Sequence, residues 1–426
     1  MNPSAWAFHP APWPVFTKEK IGHVQFAIWC KLASMVSARY LALQIKNDAL
    51  PSGKMAFISG PRQVGKTTLA KSLLTSPDNY RNWDDTEFRK AWSRSPRAAL
   101  ADRGPGPIVL DEIHKDRHWK ARLKGVYDVE GAAEGMIVTG SARLDLYRRG
   151  GDSLLGRFLP YRLHPFTAGE VEAPPAPDAV LGTVKPRWRL DDLLRLGGFP
   201  EPLIGGSEAK AGRWSRLCVE RLLAEDVRDL RAVSDIAGLR VLADLLPDRV
   251  GSLLSVNSLR EDVGVAYGTV AGWLSVFEAL YHCFTVRPFT KRLARAVRTA
   301  PKLYLFDILR IPAQAAAARL ENLTALHLLK ACHYWSDTAQ GTFDLHFVRD
   351  KEQREVDFLV VRDGRPWWLV ECKSGDVDPN PALLYFREKL GKPRAFQLVT
   401  RPGYDRSYPA SDLRVLHYER FLAGLV

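Results

Sequence analysis

The stretch Met55–Ala70, MAFISGPRQVGKTTLA, limits what this chain can fold into more than any other. A short apolar run from Met55 to Ser59 leads into Gly60, then Gly65, Lys66 and Thr67, and then into helix-forming residues. This is the complete G-x-x-x-x-G-K-[ST] phosphate loop in its strand–loop–helix setting. Gly60 and Gly65 let the backbone take positive φ and approach phosphate oxygens closely. Successive N–H groups and the N-terminus of the following helix then face the anion. Lys66 supplies a point charge for the β/γ-phosphates, and the Thr67 hydroxyl a ligand for Mg²⁺. On this reading ATP is held by Gly60, Pro61, Arg62, Gln63, Val64, Gly65, Lys66, Thr67 and Thr68. The bland alternative is a glycine-rich turn before a helix. At ordinary residue frequencies, however, chance supplies the full pattern in roughly one such chain in a hundred.

Two later strands end in residues that suit the same chemistry. Pro107–Leu110 reads as a buried parallel strand running into Asp111 and Glu112. In phosphate-loop ATPases the first acid holds Mg²⁺ and the second polarises the attacking water. Met136–Thr139 ends at Gly140-Ser141, and Ser141 is a sensor candidate because ligands sit at the carboxyl ends of parallel strands. Arg157 precedes another strand, Leu159–Leu163. It is either a finger for a neighbouring subunit's γ-phosphate, which implies a homo-oligomer, or one solvated arginine among many.

Together these residues resemble the AAA+ ATPases, and within them a prokaryotic group whose loop reads GPRQVGKTTL, as Gly60–Leu69 does here. The group's LDEI pattern stands at Leu110–Ile113, its G-S tip at Gly140-Ser141, and its G-R at Gly156-Arg157. Its glycine pair before proline stands at Gly197–Pro200. Leu154–Phe158 is similar to the arginine-finger region of branch-migration ATPases. The resemblance runs from about Arg39 to the C-terminus and implies an α/β fold: a P-loop AAA+ parallel-sheet core followed by a helical lid.

Composition bounds the rest. A chain of 426 residues is too long for one ordinary core. Lys plus Arg exceed Asp plus Glu by 61 to 48, a net charge of +13 that fits a polyanion partner; taken with the resemblance above, the expected partner is nucleic acid, DNA more than RNA. No apolar run reaches membrane length, and the N-terminus lacks a basic-then-apolar signal pattern, so the cytoplasm is the default setting. Cys30, Cys218, Cys283, Cys332 and Cys372 show no C-x-x-C spacing, so neither a zinc site nor a disulfide framework is indicated.

The expected division is an extension over 1–37, the ATPase core over 38–170, a lid and linker over 171–236, and two further units over 237–312 and 313–426. Pro174, Pro175, Pro177 and Pro186 mark the break before the lid. In the third unit Ser258–Val263, a turn at Gly264 and Tyr267–Leu280 follow the helix-turn-helix plan. Strands at Cys283–Arg287 and Lys302–Phe306, with the basic Lys291, Arg292, Arg295 and Arg298 between them, complete what resembles a winged helix. Its second helix is poor in Arg, Lys, Asn and Gln, which argues against base readout. Nonspecific phosphate contact and a purely structural module both remain open.

The last unit resembles the PD-(D/E)XK nuclease core, an α/β restriction-endonuclease-like fold. Glu321 lies on a helix, Asp357 in mid-strand, and Glu371 and Lys373 flank Cys372. The resemblance implies Mg²⁺ on Glu321, Asp357 and Glu371, with Lys373 stabilising charge at the scissile phosphate. A D…E-x-K pattern arises about once by chance in a chain this long. Strand register is therefore decisive. A two-residue Asp363-Gly364 turn pairs Asp357 with Val370, whereas a three-residue loop with Gly364 in a bulge pairs it with Glu371. The bulged register is the one expected. Two functions follow: an ATP-hydrolysing protein acting on nucleic acid with a Mg²⁺-dependent C-terminal nuclease, or an ATP-dependent switch or adaptor that cleaves nothing.

Overall fold

The computed structural model describes residues 39–132, 134–140, 154–180, 185–227, 235–290, 300–375 and 377–426. The extension over 1–37, Ser141, and the segment carrying Lys291, Arg292, Arg295 and Arg298 lie outside those residues.

Strands β1 (Met55–Ser59), β2 (Tyr80–Asn82), β3 (Ile108–Asp111), β4 (Met136–Thr139) and β5 (Phe158–Arg162) form one sheet in the order β2-β3-β4-β1-β5. Every neighbouring pair is parallel. β1, β3 and β4 are buried along their whole length, which is why their sequences are unbroken apolar runs. Alternation persists in space all the same. Met55 and Phe57 enter one core beside Leu110, Trp119 and Val138, while Ala56 and Ile58 enter another beside Leu69, Val109 and Ile137. The carboxyl ends of β1, β3 and β4 therefore open on one edge, where parallel sheets bind ligands.

The chain then forms the helices Leu190–Leu196, Pro200–Gly205 and Glu208–Arg221, the last continuing as a π-helical turn over Leu222–Val227. Two more helices, Val256–Val263 and Tyr267–Ala279, meet at a turn where Gly264 takes φ 77°. An antiparallel pair follows, β6 (Cys283–Pro288) and β7 (Lys302–Leu305). The sequence places this pair in a unit ending at residue 312. In the structure the pair is continuous with the sheet that follows.

The following strands are β8 (Phe343–Arg349), β9 (Glu355–Arg362), β10 (Arg365–Cys372), β11 (Arg394–Val399), β12 (Asp405–Tyr408) and β13 (Leu413–His417). One sheet runs β12-β13-β11-β10-β9-β8-β6-β7. Its junction is a parallel pairing of Arg287 with His346 and Pro288 with Phe347. A lone two-stranded pair is marginal in water, so β8 gives β6 the second hydrogen-bonding edge it lacks.

The β9–β10 hairpin reaches the register expected, by a different route. Arg362 faces Arg365, so the turn is the two-residue Asp363-Gly364, with φ 51° and 75°. An Asp-Gly pair at positive φ is the favoured tight hairpin turn, so the extra residue does not sit there. It enters between Pro366 and Trp368, where the register shifts. Val370 then faces Phe358, and continuing that register brings Glu371 beside Asp357, whose N–H donates to Glu371 Oε2 at 3.4 Å. The bulged Trp367 stacks on Trp368 at 3.9 Å between ring centroids. Apolar area under two indoles anchors the irregularity.

A single helix, Ala316–Asp337, joins the two sheets. Asp337 takes Arg162 of β5 in a two-pronged pair (2.9 and 2.7 Å), and His327 Nε2 accepts from the Ala168 N–H at 2.9 Å. Between them Glu170, fully buried, accepts from Arg39 Nε at 2.8 Å and from Lys330 Nζ. Arg39 also donates to the Val64 carbonyl of the phosphate loop at 3.0 Å, and Lys330 donates to Thr167 at 2.8 Å. Burial works against the Glu170 charge, but Arg39 and Lys330 outweigh it and hold its pKa below the ordinary carboxylate value.

Candidate nucleotide site and C-terminal carboxylate cluster

The loop after β1 is built on two positions that no side chain could fill without strain. Gly60 has φ 146°, and a Cβ there would stand 2.2 Å from the Leu163 carbonyl oxygen just past β5. Gly65 has φ 100° and caps the helix Lys66–Ser72. Gln63, between them, also takes positive φ, at 61°. With the cradle in this shape Lys66 folds back and donates to the Gly60 and Pro61 carbonyls at 2.9 and 2.7 Å. Burial lowers the Lys66 pKa to about 8, against the pull of Glu112 and Asp111.

Asp111 gathers three hydroxyl donors: Thr67 at 2.9 Å, Tyr80 at 2.6 Å, and Thr139. Thr67 and Asp111 are two hard oxygen ligands side by side, which suits Mg²⁺. Glu112 follows in the left-handed region at φ 57°, and its N–H is tied to the Thr139 carbonyl at 3.1 Å. A non-glycine residue is rarely held there. Burial raises the Glu112 pKa, offset in part by Lys66 and Lys115.

These groups line one side of a cleft of about 840 Å³, and Pro200, Pro202, Trp214, Glu225 and Asp226 line the other. Arg62 spans it, pairing with Asp226 at 3.2 Å and with Glu225. Among the expected residues, then, Arg62, Gln63, Gly65, Lys66, Thr67, Thr68, Asp111 and Glu112 line a single cavity. Gly60, Pro61 and Val64 shape the loop beneath it. Arg157 is bound within its own chain by Asp128, at 2.6 and 3.2 Å. Tyr80, Thr139 and Asp226 were not anticipated. Thr139 is the polar end of an apolar strand and was legible as such, whereas β2 is too short and polar to read.

At the other sheet Glu321 and Asp357 converge on one lysine, with Glu371 beside Asp357. Lys302, from β7, stands among the carboxylates: 2.7 Å from Glu355 Oε1, 3.1 Å from Glu321 Oε1 and 3.3 Å from Asp357 Oδ1. Burial opposes its charge, but Asp357, Glu321 and Glu355 push its pKa up. Glu371 is engaged elsewhere, by Lys373 at 2.8 Å and by the Asn380 amide at 2.5 Å. Glu321 and Glu371 are each raised to about 7, first by burial and then by Asp357. Among the described residues no group of three or more His, Cys, Asp or Glu is arranged to hold a metal ion. A lysine from a strand assigned to a different unit could not be found from the D…E-x-K pattern. Cys372 turns to the opposite face and packs against the core.

The fold and the loop define an α/β protein with a parallel-sheet core resembling P-loop ATPases. In keeping with this, the family described as "AAA domain" matches residues 52–172. Two families described as domains of unknown function, DUF8612 and DUF4143, match residues 187–309 and 317–421. Relatives include the uncharacterized proteins Mb2031c of Mycobacterium bovis and Rv2008c of Mycobacterium tuberculosis. Each is 24% identical over 375 residues, covering 83% of this chain and 80% of its own length. Among solved structures, the Aeropyrum pernix ORC1 protein in complex with DNA is 15% identical, with a TM-score of 0.30, covering 71% of this chain and 92% of that one. The Thermotoga maritima RuvB Holliday junction branch migration motor is also 15% identical, with a TM-score of 0.28, covering 65% and 95%. No helix among the described residues is long and apolar enough to cross a membrane.

Proposed function

We propose that this chain binds and hydrolyses ATP with Mg²⁺ and uses the cycle to act on nucleic acid, DNA in preference to RNA. The observation that carries the ATPase reading is the meeting of Lys66, Thr67, Asp111 and Glu112 in one cleft facing the lid helices. Thr67 and Asp111 would hold the Mg²⁺, which supplies charge neutralisation at the phosphates. Lys66 exchanges the Gly60 and Pro61 carbonyls for phosphate oxygens, and Glu112 accepts the proton of the attacking water. Arg62, tied to Glu225 and Asp226, closes the lid on the loop. The helices Val256–Val263 and Tyr267–Ala279 with β6 and β7 serve as a winged helix, and the excess of basic residues directs it to phosphate. Arg157 serves a neighbouring subunit once released from Asp128. Ser141 retains its proposed sensor role.

Lys66→Ala tests the reading. Losing one charge-assisted contact worth about 1.5–3 kcal/mol should weaken Mg-ATP binding roughly ten- to a hundredfold. Titration with a fluorescent ATP analogue measures it, and unchanged affinity would remove the loop from nucleotide binding.

A pH dependence follows from Lys66. With a pKa of about 8 in the empty site, the amine is charged below pH 8 and neutral above it. A triphosphate favours the ammonium and raises that pKa, so binding above pH 8 takes up a proton. Affinity should be flat below pH 8 and fall by up to about tenfold per unit above it. Calorimetry at pH 9 in two buffers of different ionisation enthalpy should give different binding enthalpies. At pH 7 the two should agree, and the reverse pattern would refute the assignment.

Of the two readings for the last unit, the non-cleaving switch is favoured over the nuclease. The observation behind it is the Lys302 ammonium lying among Glu321, Glu355 and Asp357.

A further inference from the structure

From that non-cleaving reading we infer that the Lys302 side chain is the resident cation of the C-terminal carboxylate cluster and stands in place of a divalent metal. Four observations carry this. Lys302 is 3% exposed, and its Nζ reaches three separate carboxylates within 3.3 Å. An ammonium with three rotatable donors matches such a basket, one proton to each acid. Further donors crowd the same carboxylates. Glu355 Oε2 takes Arg349 at 2.8 Å, Glu321 Oε1 takes the Tyr304 hydroxyl at 2.8 Å, and Asp357 Oδ2 takes the Cys372 N–H at 2.9 Å.

Charge is nearly balanced without a metal, with one net negative charge left over. Four acids (Glu321, Glu355, Asp357 and Glu371) face three cations (Lys302, Arg349 and Lys373). Space is tight too: a Cβ on Gly251, at φ 74°, would come within 3.0 Å of Glu321 Oε2, so the backbone paired alongside β7 (Gly251 N–H to the Leu303 carbonyl, 3.0 Å) lies against the cluster. A Mg²⁺ ion needs oxygens at about 2.0–2.1 Å in octahedral array, which the ammonium's own volume and longer contacts preclude. β7 is placed here by the pairing of β6 with β8 and by the Asn322 side chain, which bonds both the N–H and the carbonyl of Leu305, at 2.8 and 2.9 Å. The lysine also fastens the segment preceding residue 312 to the helix Ala316–Asp337 and to β9.

The test counts Mn²⁺ bound to the full chain by electron paramagnetic resonance, without nucleotide. Any contribution of the phosphate loop is then common to all variants. Wild type and Asp357→Asn should bind equal Mn²⁺, and neither should nick plasmid in Mn²⁺. Lys302→Met, which keeps the aliphatic bulk but removes the charge, should gain about one Mn²⁺ per chain, and Asp357→Asn added to it should abolish that gain. The inference is overturned if Asp357→Asn lowers the Mn²⁺ count or the nicking of the otherwise wild-type chain. It is also overturned if folded Lys302→Met gains nothing. Should Lys302→Met fail to fold, the comparison of wild type with Asp357→Asn decides alone. Because ATP plays no part in the assay, a failure here leaves the ATPase reading standing.

Discussion

Replacing Glu112 with glutamine should leave Mg-ATP binding within a few-fold of wild type and slow hydrolysis by about two to four orders of magnitude. The amide is isosteric and still hydrogen-bonds, so the cleft keeps its shape, but it cannot take a proton from water. Two features single out this acid over the adjacent Asp111. Asp111 is held in place by the hydroxyls of Thr67, Tyr80 and Thr139, whereas Glu112 is turned out of the strand by its left-handed backbone. Burial also raises its pKa, which makes it a stronger base than an exposed carboxylate. Single-turnover hydrolysis beside equilibrium binding separates the two effects. Wild-type turnover in the variant would strip Glu112 of the role, and lost binding would make the residue structural.

Glu170→Ala should cost about 3–5 kcal/mol of stability, because it strands two buried cations, Arg39 and Lys330. The glutamine variant should cost less, since it keeps hydrogen bonds to both partners. The pH dependence has a definite sign. Glu170's folded pKa lies below its ordinary value of 4.5, so its contribution is present above that pH and is lost as pH falls through the lowered value. Urea denaturation at pH 7 and in mild acid measures both. A change under 1 kcal/mol at pH 7 would mean that the triad contributes little.

How much of this was legible beforehand depended on how local each signal is. The phosphate loop spans contiguous residues, and its geometry follows from glycines at fixed spacing, so Gly60 to Thr68 could be read directly. β1, β3 and β4 were legible because double-sided burial forces apolar runs. The pairing of Asp357 with Glu371 was foreseen, but the bulge was assigned to Gly364 instead of Trp367. The preference of Asp-Gly for a tight turn at positive φ outweighs a bulge at Gly364. Lys302 was hidden for a deeper reason: its partners lie 19, 53 and 55 residues away, and no spacing rule links a lysine on β7 to acids on a following helix and on β9. The ion triad of Arg39, Glu170 and Lys330 is equally non-local, and buried charge is seldom anticipated from a helix's polar residues.

The helix Ala316–Asp337 has a consequence of its own. Glu321 near its start touches the carboxylate basket, while Lys330 and Asp337 further along grip the segment flanking β5. Between residues 321 and 330 the axial rise is about 13 Å. A rigid rod of that length transmits displacement without absorbing it. If a γ-phosphate shifts the loop carbonyl that Arg39 holds, the far sheet must travel with it or the buried charges must part. On the proposed ATPase reading, nucleotide state would be felt at the far end of that helix as a push, not as a loosening.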